Sequence, residues 1–536
     1  MIDSLRVIWQ NGKEQLIKGI AINKQVLLKE ADAVEDRIKP ESSSFPVMTM
    51  EKPFINFTHK TIEVNDFKRQ PLLPNAVSYR GPCIAKSDVN ADGLEDLFIG
   101  GGTGQAGQLF IQQRNKTYKL ADENLFVQDA ASDDVDAVFF DADNDGDNDL
   151  LVCSGGYGDY VVNDTALQPR LYINDGRGNF SKTPKPLPHV NSSGGCIAVA
   201  DINMDGYKDI FWGGRVVPGA YPAAPSSYIF LNDGKGGFED KTKEYAPELA
   251  NAGMFTDAVF ADINNDKLPD LITCGEWMPV QIWINEKGKL TDKTNAYFDK
   301  PYRGWWNKII LADINADGKT DIIAGNYGLN TQCKVSDAEP AEMFYKDFDN
   351  NGAIDPIFCF YIQGKSYPYV ARDELLDQIS VMRTRFTDYE SYSRAALTDI
   401  FKPEELSNTG HLLINTLQSA LFLSNASGKY EYIPLPLAAQ YAPVFAIQVL
   451  DYNADGKSDL LIGGNTSHSR VKIGNAQASY GMLFKGDGSG HFEYIPQKKS
   501  GLSIKGDIRF IESCRDGSYL FGINNKPVVQ YKLSVK

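Results

Sequence analysis

Asp141–Asp149 reads DADNDGDND, with a carboxylate at positions 1, 3, 5 and 9 of the nine and glycine at position 6. The pattern D-x-[DN]-x-[DN]-x-x-x-D occurs seven times in the 536 residues. The oxygen-bearing positions are Asp88, Asn90, Asp92 and Asp96; Asp141, Asp143, Asp145 and Asp149; Asp201, Asn203, Asp205 and Asp209. They continue as Asp262, Asn264, Asp266 and Asp270; Asp313, Asn315, Asp317 and Asp321; Asp347, Asp349, Asn351 and Asp355; Asp451, Asn453, Asp455 and Asp459. Side-chain oxygens at 1, 3, 5 and 9, with a backbone carbonyl at 7, suit a hard cation such as Ca²⁺. Glycine at position 6 permits the turn that brings those oxygens inward. The sequence therefore predicts up to seven bound Ca²⁺ ions.

An EF-hand uses similar spacing but needs glutamate at position 12 and a helix on each side. Position 12 here is Ile99, Val152, Trp212, Thr273, Ala324, Phe358 or Ile462, none acidic. The flanks are five- or six-residue β-rich runs, such as DAVFF before and DLLVC after the Asp141 loop, which is strand length. Further on come third strands (RLYIND, SYIFLND, VQIWIN, ALFLSN), then glycine turns and fourth strands around Phe180 and Phe238. Four short antiparallel strands per repeat of about 50–60 residues describe the blade of a β-propeller, an all-β fold.

These loops, followed by D-[LI]-x-x-x-G, resemble the FG-GAP/VCBS repeats, blades with calcium loops also found in integrin α-subunit propellers. The resemblance spans residues 54–536. Residues 5–30 (LRVIWQNGKEQLIKGIAINKQVLLKEA) resemble the end of an ASPIC/UnbV domain, which accompanies such repeats in bacterial surface proteins and cartilage acidic protein-like proteins. A plain hairpin turning at Asn11-Gly12 is the other reading of this stretch. The resemblance implies that the chain starts inside a domain, with upstream sequence and any export signal missing, and a location at the cell surface, outside the cell or in the periplasm. Residues 31–53 read as a polar linker.

Loop spacings of 53, 60, 61, 51, 34 and 104 residues leave the blade number at seven or eight. Eight is favoured, with the loop-free strands DIRFIES, GSYLFGI and VVQYKLS closing the ring beside an N-terminal strand near Phe54–Ile62. Lys267 in place of glycine, and Asn351 in place of aspartate, mark the Asp262 and Asp347 loops as the weakest calcium sites. Residues 371–410 break the β pattern. Leu375, Leu376, Ile379 and Met382 recur at helical spacing, so the insert is helical, either a lid on one face or a patch over strand edges.

If metal loops join first and second strands at one end of the ring, the other connections lie on the opposite face. There the sequence places Arg215, Tyr221, Glu276, Trp277, Trp305, Trp306, Asn326, Tyr327, Asn330, His468 and Arg470. Aromatic rings beside arginine, glutamate and asparagine suit a glycan or a protein partner, or else pack between blades. The leading functional reading is a non-enzymatic, calcium-stabilised binding or adhesion scaffold recognising protein or carbohydrate on that face. The alternative is a carbohydrate-active enzyme such as a polysaccharide lyase, with Arg215, Glu276, His468 and Arg470 as the groups that would have to converge.

Other classes are disfavoured. The net charge of −16 is largely coordination chemistry, since seven Ca²⁺ would bring it to about −2. Basic residues do not cluster as nucleic-acid binding requires. Gly102, Gly104 and Gly107 form GxGxxG, but a strand follows rather than the helix a dinucleotide site needs. The five histidines lack zinc-site spacing, and the seven cysteines, without a CxxC pair, read as buried free thiols. No run approaches the eighteen or so apolar residues of a membrane span.

Overall fold

The computed structural model describes residues 4–9, 13–21, 25–34, 46–121 and 124–534. The chain divides into two compact units, Met1–Val47 and Met48–Lys536. In the first, Ser4–Ile8 pairs antiparallel with Glu14–Lys18. The Asn11-Gly12 turn expected between them lies outside the described residues.

The second unit is a β-propeller. Six antiparallel blades, each built on four strands, follow one another along the chain, beginning at Ile84–Ser87, Asp133–Phe140, Ser193–Ala200, Met254–Ala261, Lys308–Ala312 and Val444–Leu450; the fourth carries a fifth strand, Arg303–Trp305, paired with its second. A seventh blade consists of Ile508–Ser513, Ser518–Ile523, Val529–Leu533 and, as its outermost strand, Met48–Glu51. That last strand pairs Met48 with Leu533 and Glu51 with Gln530, closing the ring with the two ends of the unit. Closure by an N-terminal strand was expected; the strand falls earlier than Phe54, within the stretch read as linker.

First strands face a central cavity to which each blade contributes, through Ile84, Val135, Gly195, Thr256, Ile309, Ala446 and Phe510. Second strands are packed on both faces by neighbouring blades, and Asp149–Gly155 and Asp209–Val216 are buried throughout. Their continuous apolar runs, DLLVC and DIFWG, follow from that double burial, because no face is left for polar residues.

An eighth four-stranded sheet exists, but it lies outside the ring. Its strands, Lys365–Pro368, Asp355–Ile362, Ala341–Lys346 and Gly410–Ile414, are inserted between the second and third strands of the fifth blade, Asp321–Gly325 and Ala420–Ser424. None of its residues lines the central cavity. The eight-bladed ring favoured from the sequence is thus a seven-bladed ring plus an inserted sheet. The Asp347 loop belongs to that sheet.

The helical insert is present as Arg372–Gln378, Tyr389–Ser393 and Leu397–Ile400. It packs on one side of the inserted sheet, where Ile357 and Cys359 meet Leu375, Leu376, Ile379 and Met382. The intervening side chains Phe358 and Phe360 point the other way, onto the propeller. The two-residue alternation of a strand builds this layered cover from one segment, residues 357–360.

Candidate functional site

The seven Asp-rich loops share one backbone geometry. Six join the first and second strands of blades one to six, and the seventh joins the corresponding hairpin of the inserted sheet. In each, the position 1 aspartate accepts the position 6 amide at 2.8–3.1 Å. Position 6 lies in the left-handed region, from φ +78° at Gly456 to +96° at Gly146, and Lys267 adopts φ +71° there without being glycine.

The position 9 aspartates (Asp96, Asp149, Asp209, Asp270, Asp321, Asp355 and Asp459) are fully buried. Each accepts the position 2 amide at 2.9–3.0 Å. In the six blades the second oxygen takes an amide from the third strand, such as that of Asn174 at 2.8 Å or Asn232 at 2.9 Å. Burial pushes these carboxyls up, to about 6 in Asp96, Asp209 and Asp355 and about 7 in Asp149.

The donor set fits a hard cation best in two loops. Carboxylate oxygens of Asp141, Asp143 and Asp149 lie within 4.8 Å of one another, as do those of Asp347, Asp349 and Asp355. One oxygen of Asp143 and one of Asp349 are buried without a hydrogen-bond partner. Crowded carboxylates with an orphaned acceptor are what a bound cation would satisfy. Both loops carry aspartate at position 3. Where position 3 is Asn203, Asn264 or Asn453, its amide instead donates to the position 5 carboxylate at 2.8, 2.8 and 3.0 Å. The Asp347 loop, read from the sequence as weak because of Asn351, therefore groups with the Asp141 loop.

Three asparagines that the loop pattern did not single out join the loops of adjacent blades. Asn174 Nδ2 donates to the Val89 carbonyl, Asn232 Nδ2 to that of Ala142 and Asn285 Nδ2 to that of Ile202, each at 2.8–2.9 Å. Each acceptor is position 2 of the preceding blade's loop. Their signal was present in the third strands: the same asparagine ends RLYIN, YIFLN and QIWIN.

On the opposite face, the predicted residues divide into separate groups. Arg215 and Glu276 form an ion pair, Tyr221 donates its hydroxyl to the same carboxylate, and Trp277 Nε1 donates to the Tyr221 hydroxyl at 2.7 Å. Trp277 and Trp305 meet edge to face at 5.4 Å, and Trp305 meets Tyr327 at 4.9 Å. This cluster does not face solvent. Met343, Phe358, Phe360 and Ile414 of the inserted sheet cover it, together with Leu73 and Val77 from the segment preceding the first blade.

Trp306 is buried between the fourth and fifth blades, its indole donating to the Tyr302 carbonyl. Asn326 is buried and ties the backbones of Trp305 and Thr416. Asn330 binds the Tyr441 carbonyl at 3.1 Å. These are structural roles. His468 stacks on Tyr79 with ring centroids 3.6 Å apart, 3.7 Å from Asp507. Arg470 pairs with Glu374 of the helical insert at 3.1 Å. The four groups a lyase would need thus sit in three different sets of contacts.

An open groove on this face, of about 910 Å³, is lined by residues 63–69, Ala76, Tyr79, Gly158, Asp159 and Ser467–Ser469. Asp66 shapes it by accepting the amides of Val77 at 2.7 Å and Ser78 at 2.9 Å. Arg69 anchors it by donating to the carbonyls of Tyr157 at 2.9 Å and Gly158 at 2.7 Å. Of the residues singled out from the sequence, only His468 lines it. The segment 63–69 was missed because it carries no repeat signature.

A family model described as an FG-GAP-like repeat matches residues 156–212 and 262–324. No curated protein matches the chain. Among solved structures, the Dos1 propeller covers 86% of this chain and 94% of its own at 9% identity and TM-score 0.38. The V. cholerae biofilm matrix protein Bap1 covers 90% and 91% at 12% identity and TM-score 0.35. YCF48, solved bound to D1 peptide, covers 89% and 98% at 9% identity and TM-score 0.39.

Proposed function

We propose that the chain is a calcium-stabilised, non-enzymatic binding scaffold that works outside the cytoplasm and recognises protein or carbohydrate through the face opposite its Asp-rich loops. The groove of about 910 Å³ carries this reading. It lies at the end of the strands away from the loops and combines the Tyr79–His468 stack with Lys68 and Asp159, a mixture suited to a polar ligand with apolar faces.

Up to seven Ca²⁺ ions would occupy the loops, and the crowded carboxylates of the Asp141 and Asp347 loops support that assignment. Loops that bind at about 10⁻⁴–10⁻³ M calcium are filled outside the cell and empty in the cytoplasm, which supports a surface, secreted or periplasmic setting. No helix among the described residues is long and apolar enough to cross a membrane. The ASPIC/UnbV-like reading of residues 5–30 and the likeness to cartilage acidic protein-like surface proteins belong to the same proposal. The lyase reading has less support, because the Glu276 carboxylate is already engaged by Arg215 and Tyr221.

A glycan and protein array probed with wild type and with Lys68→Glu, in calcium, tests the groove. Binding by wild type that Lys68→Glu abolishes is the expected result. No bound species, or binding indifferent to that change, would count against it.

A further inference from the structure

The central cavity, about 400 Å³, has one arginine-rich end. Arg80 and Arg509 both line it, and both place their guanidinium over the ring of Phe445, at 5.5 and 4.1 Å from its centroid. Arg215, on the second strand of the third blade, does not itself line the cavity; its Cβ backs the cavity-lining Gly195, where an added Cβ would meet it at 3.0 Å, and its guanidinium is turned to Glu276. Two cations from different parts of the chain thus meet over one ring at the end of the cavity.

Their donors are not all used. Arg509 donates to the carbonyls of Tyr79 at 3.2 Å and Asn465 at 3.0 Å. Arg215 is 5% exposed and gives Nη2 to Glu276, while its Nε and Nη1 are buried without any partner. Arg80 lies over the Phe445 ring and, among the described residues, makes no ion pair or hydrogen bond. Burial, then the charges of Arg215 and Arg509, push its guanidinium down to about 9.

Nearby carboxylates do not answer this need. Glu276 is taken by Arg215 and Tyr221, and Asp507 by Ser467 and Arg509. Deeper in the cavity, Asp257 is held by Lys308 at 3.0 Å and by the Ile309 amide, and Asp136 by the Ile197 amide. Asp133 lies near Arg80 without pairing with it, and burial and Asp134 push its carboxyl up to about 7. Buried guanidinium donors without acceptors are costly, and a planar or tetrahedral oxyanion accepts from two of them at once.

The geometry points to an oxyanion-binding site at this end of the central cavity, in which Arg80 and Arg509 take a carboxylate or sulfate group of a small ligand. The cavity has room for about a sugar-sized molecule, so the group could be inorganic or carried on an acidic monosaccharide. The site is separate from the open groove and stands or falls independently of it.

Isothermal titration of the calcium-loaded protein with sodium sulfate and with sodium glucuronate, at ionic strength held constant with chloride, tests this. Saturable binding of either, weakened at least about tenfold in Arg80→Gln and less in Arg80→Lys, is expected. The tighter of the two anions identifies the carrier. Absence of saturable binding of both anions to wild type would overturn the site, as would undiminished binding by a folded Arg80→Gln.

Discussion

Lys267 carries a Cβ at a position where six sister loops use glycine, and its φ of +71° is one that L side chains adopt at a cost of about 1 kcal/mol. Lys267→Gly should therefore raise stability by about 1 kcal/mol in urea unfolding, even though glycine loosens the unfolded chain. A loss of stability would show that the Lys267 side chain makes a contact worth more than the strain. His59 shows the opposite kind of residue effect. It is buried, accepts the Asn525 amide at 3.1 Å, and is pushed down to about 3 by burial and then by Arg509. Its folded pKa is below its unfolded 6.5, so its contribution is complete above pH 6.5 and drains away as pH falls towards 3. The stability difference between wild type and His59→Gln, measured by urea at pH 7 and pH 5, should shift against wild type at the lower pH. An unchanged difference would mean that the ring protonates freely in the fold.

At the level of strands and loops, much was written plainly in the chain. A nine-residue pattern with Asp at 1 and 9 fixes a hairpin, because those carboxylates cap the backbone amides that the turn leaves unpaired. The strand runs on either side followed from double burial. The inter-blade clasp was also present, as a recurrent asparagine, but only the structure shows that its amide reaches the neighbouring loop. Asn232→Ala removes bonds to the Ala142 carbonyl at 2.9 Å and the Lys208 carbonyl at 3.1 Å, and should cost about 2 kcal/mol in thermal or urea unfolding. A change within a few tenths would mean that water replaces the clasp. Trp277 was not legible in the same way. Aromatic and charged residues at strand ends look alike whether they face solvent or a cover, and the cover here comes from residues 341–414, distant in sequence. Trp277, 3% exposed, should behave as core: Trp277→Ala is expected to lower stability by about 3–5 kcal/mol, measured by urea unfolding. A stable variant that had lost only ligand binding would restore the surface role.

For the whole molecule, the repeat revealed the architecture but miscounted it. A calcium-type loop marks a hairpin, and hairpins occur both as the inner half of a blade and in the inserted sheet. Counting loops therefore could not separate seven ring blades from eight; only the first strands that reach the cavity do so. The same distinction ranks the loops. Asp141 sits in a ring blade and Asp347 in the inserted sheet, so Asp141→Ala should lower the melting temperature more than Asp347→Ala. Without metal, the buried position 9 carboxyls lie above their unfolded values, so each favours the fold fully below pH 3.8 and loses that advantage as pH rises, through about 6–7 for Asp96, Asp149, Asp209 and Asp355. Cation binding would offset this loss near neutrality, each site adding about 1.4 kcal/mol at ten times its Kd. The decisive measurement is calorimetric melting at pH 7 in about 2 mM calcium and again in excess chelator. Metal-clamped loops require a large fall in melting temperature on chelation, reversed by adding calcium back; superimposable melting curves would contradict them.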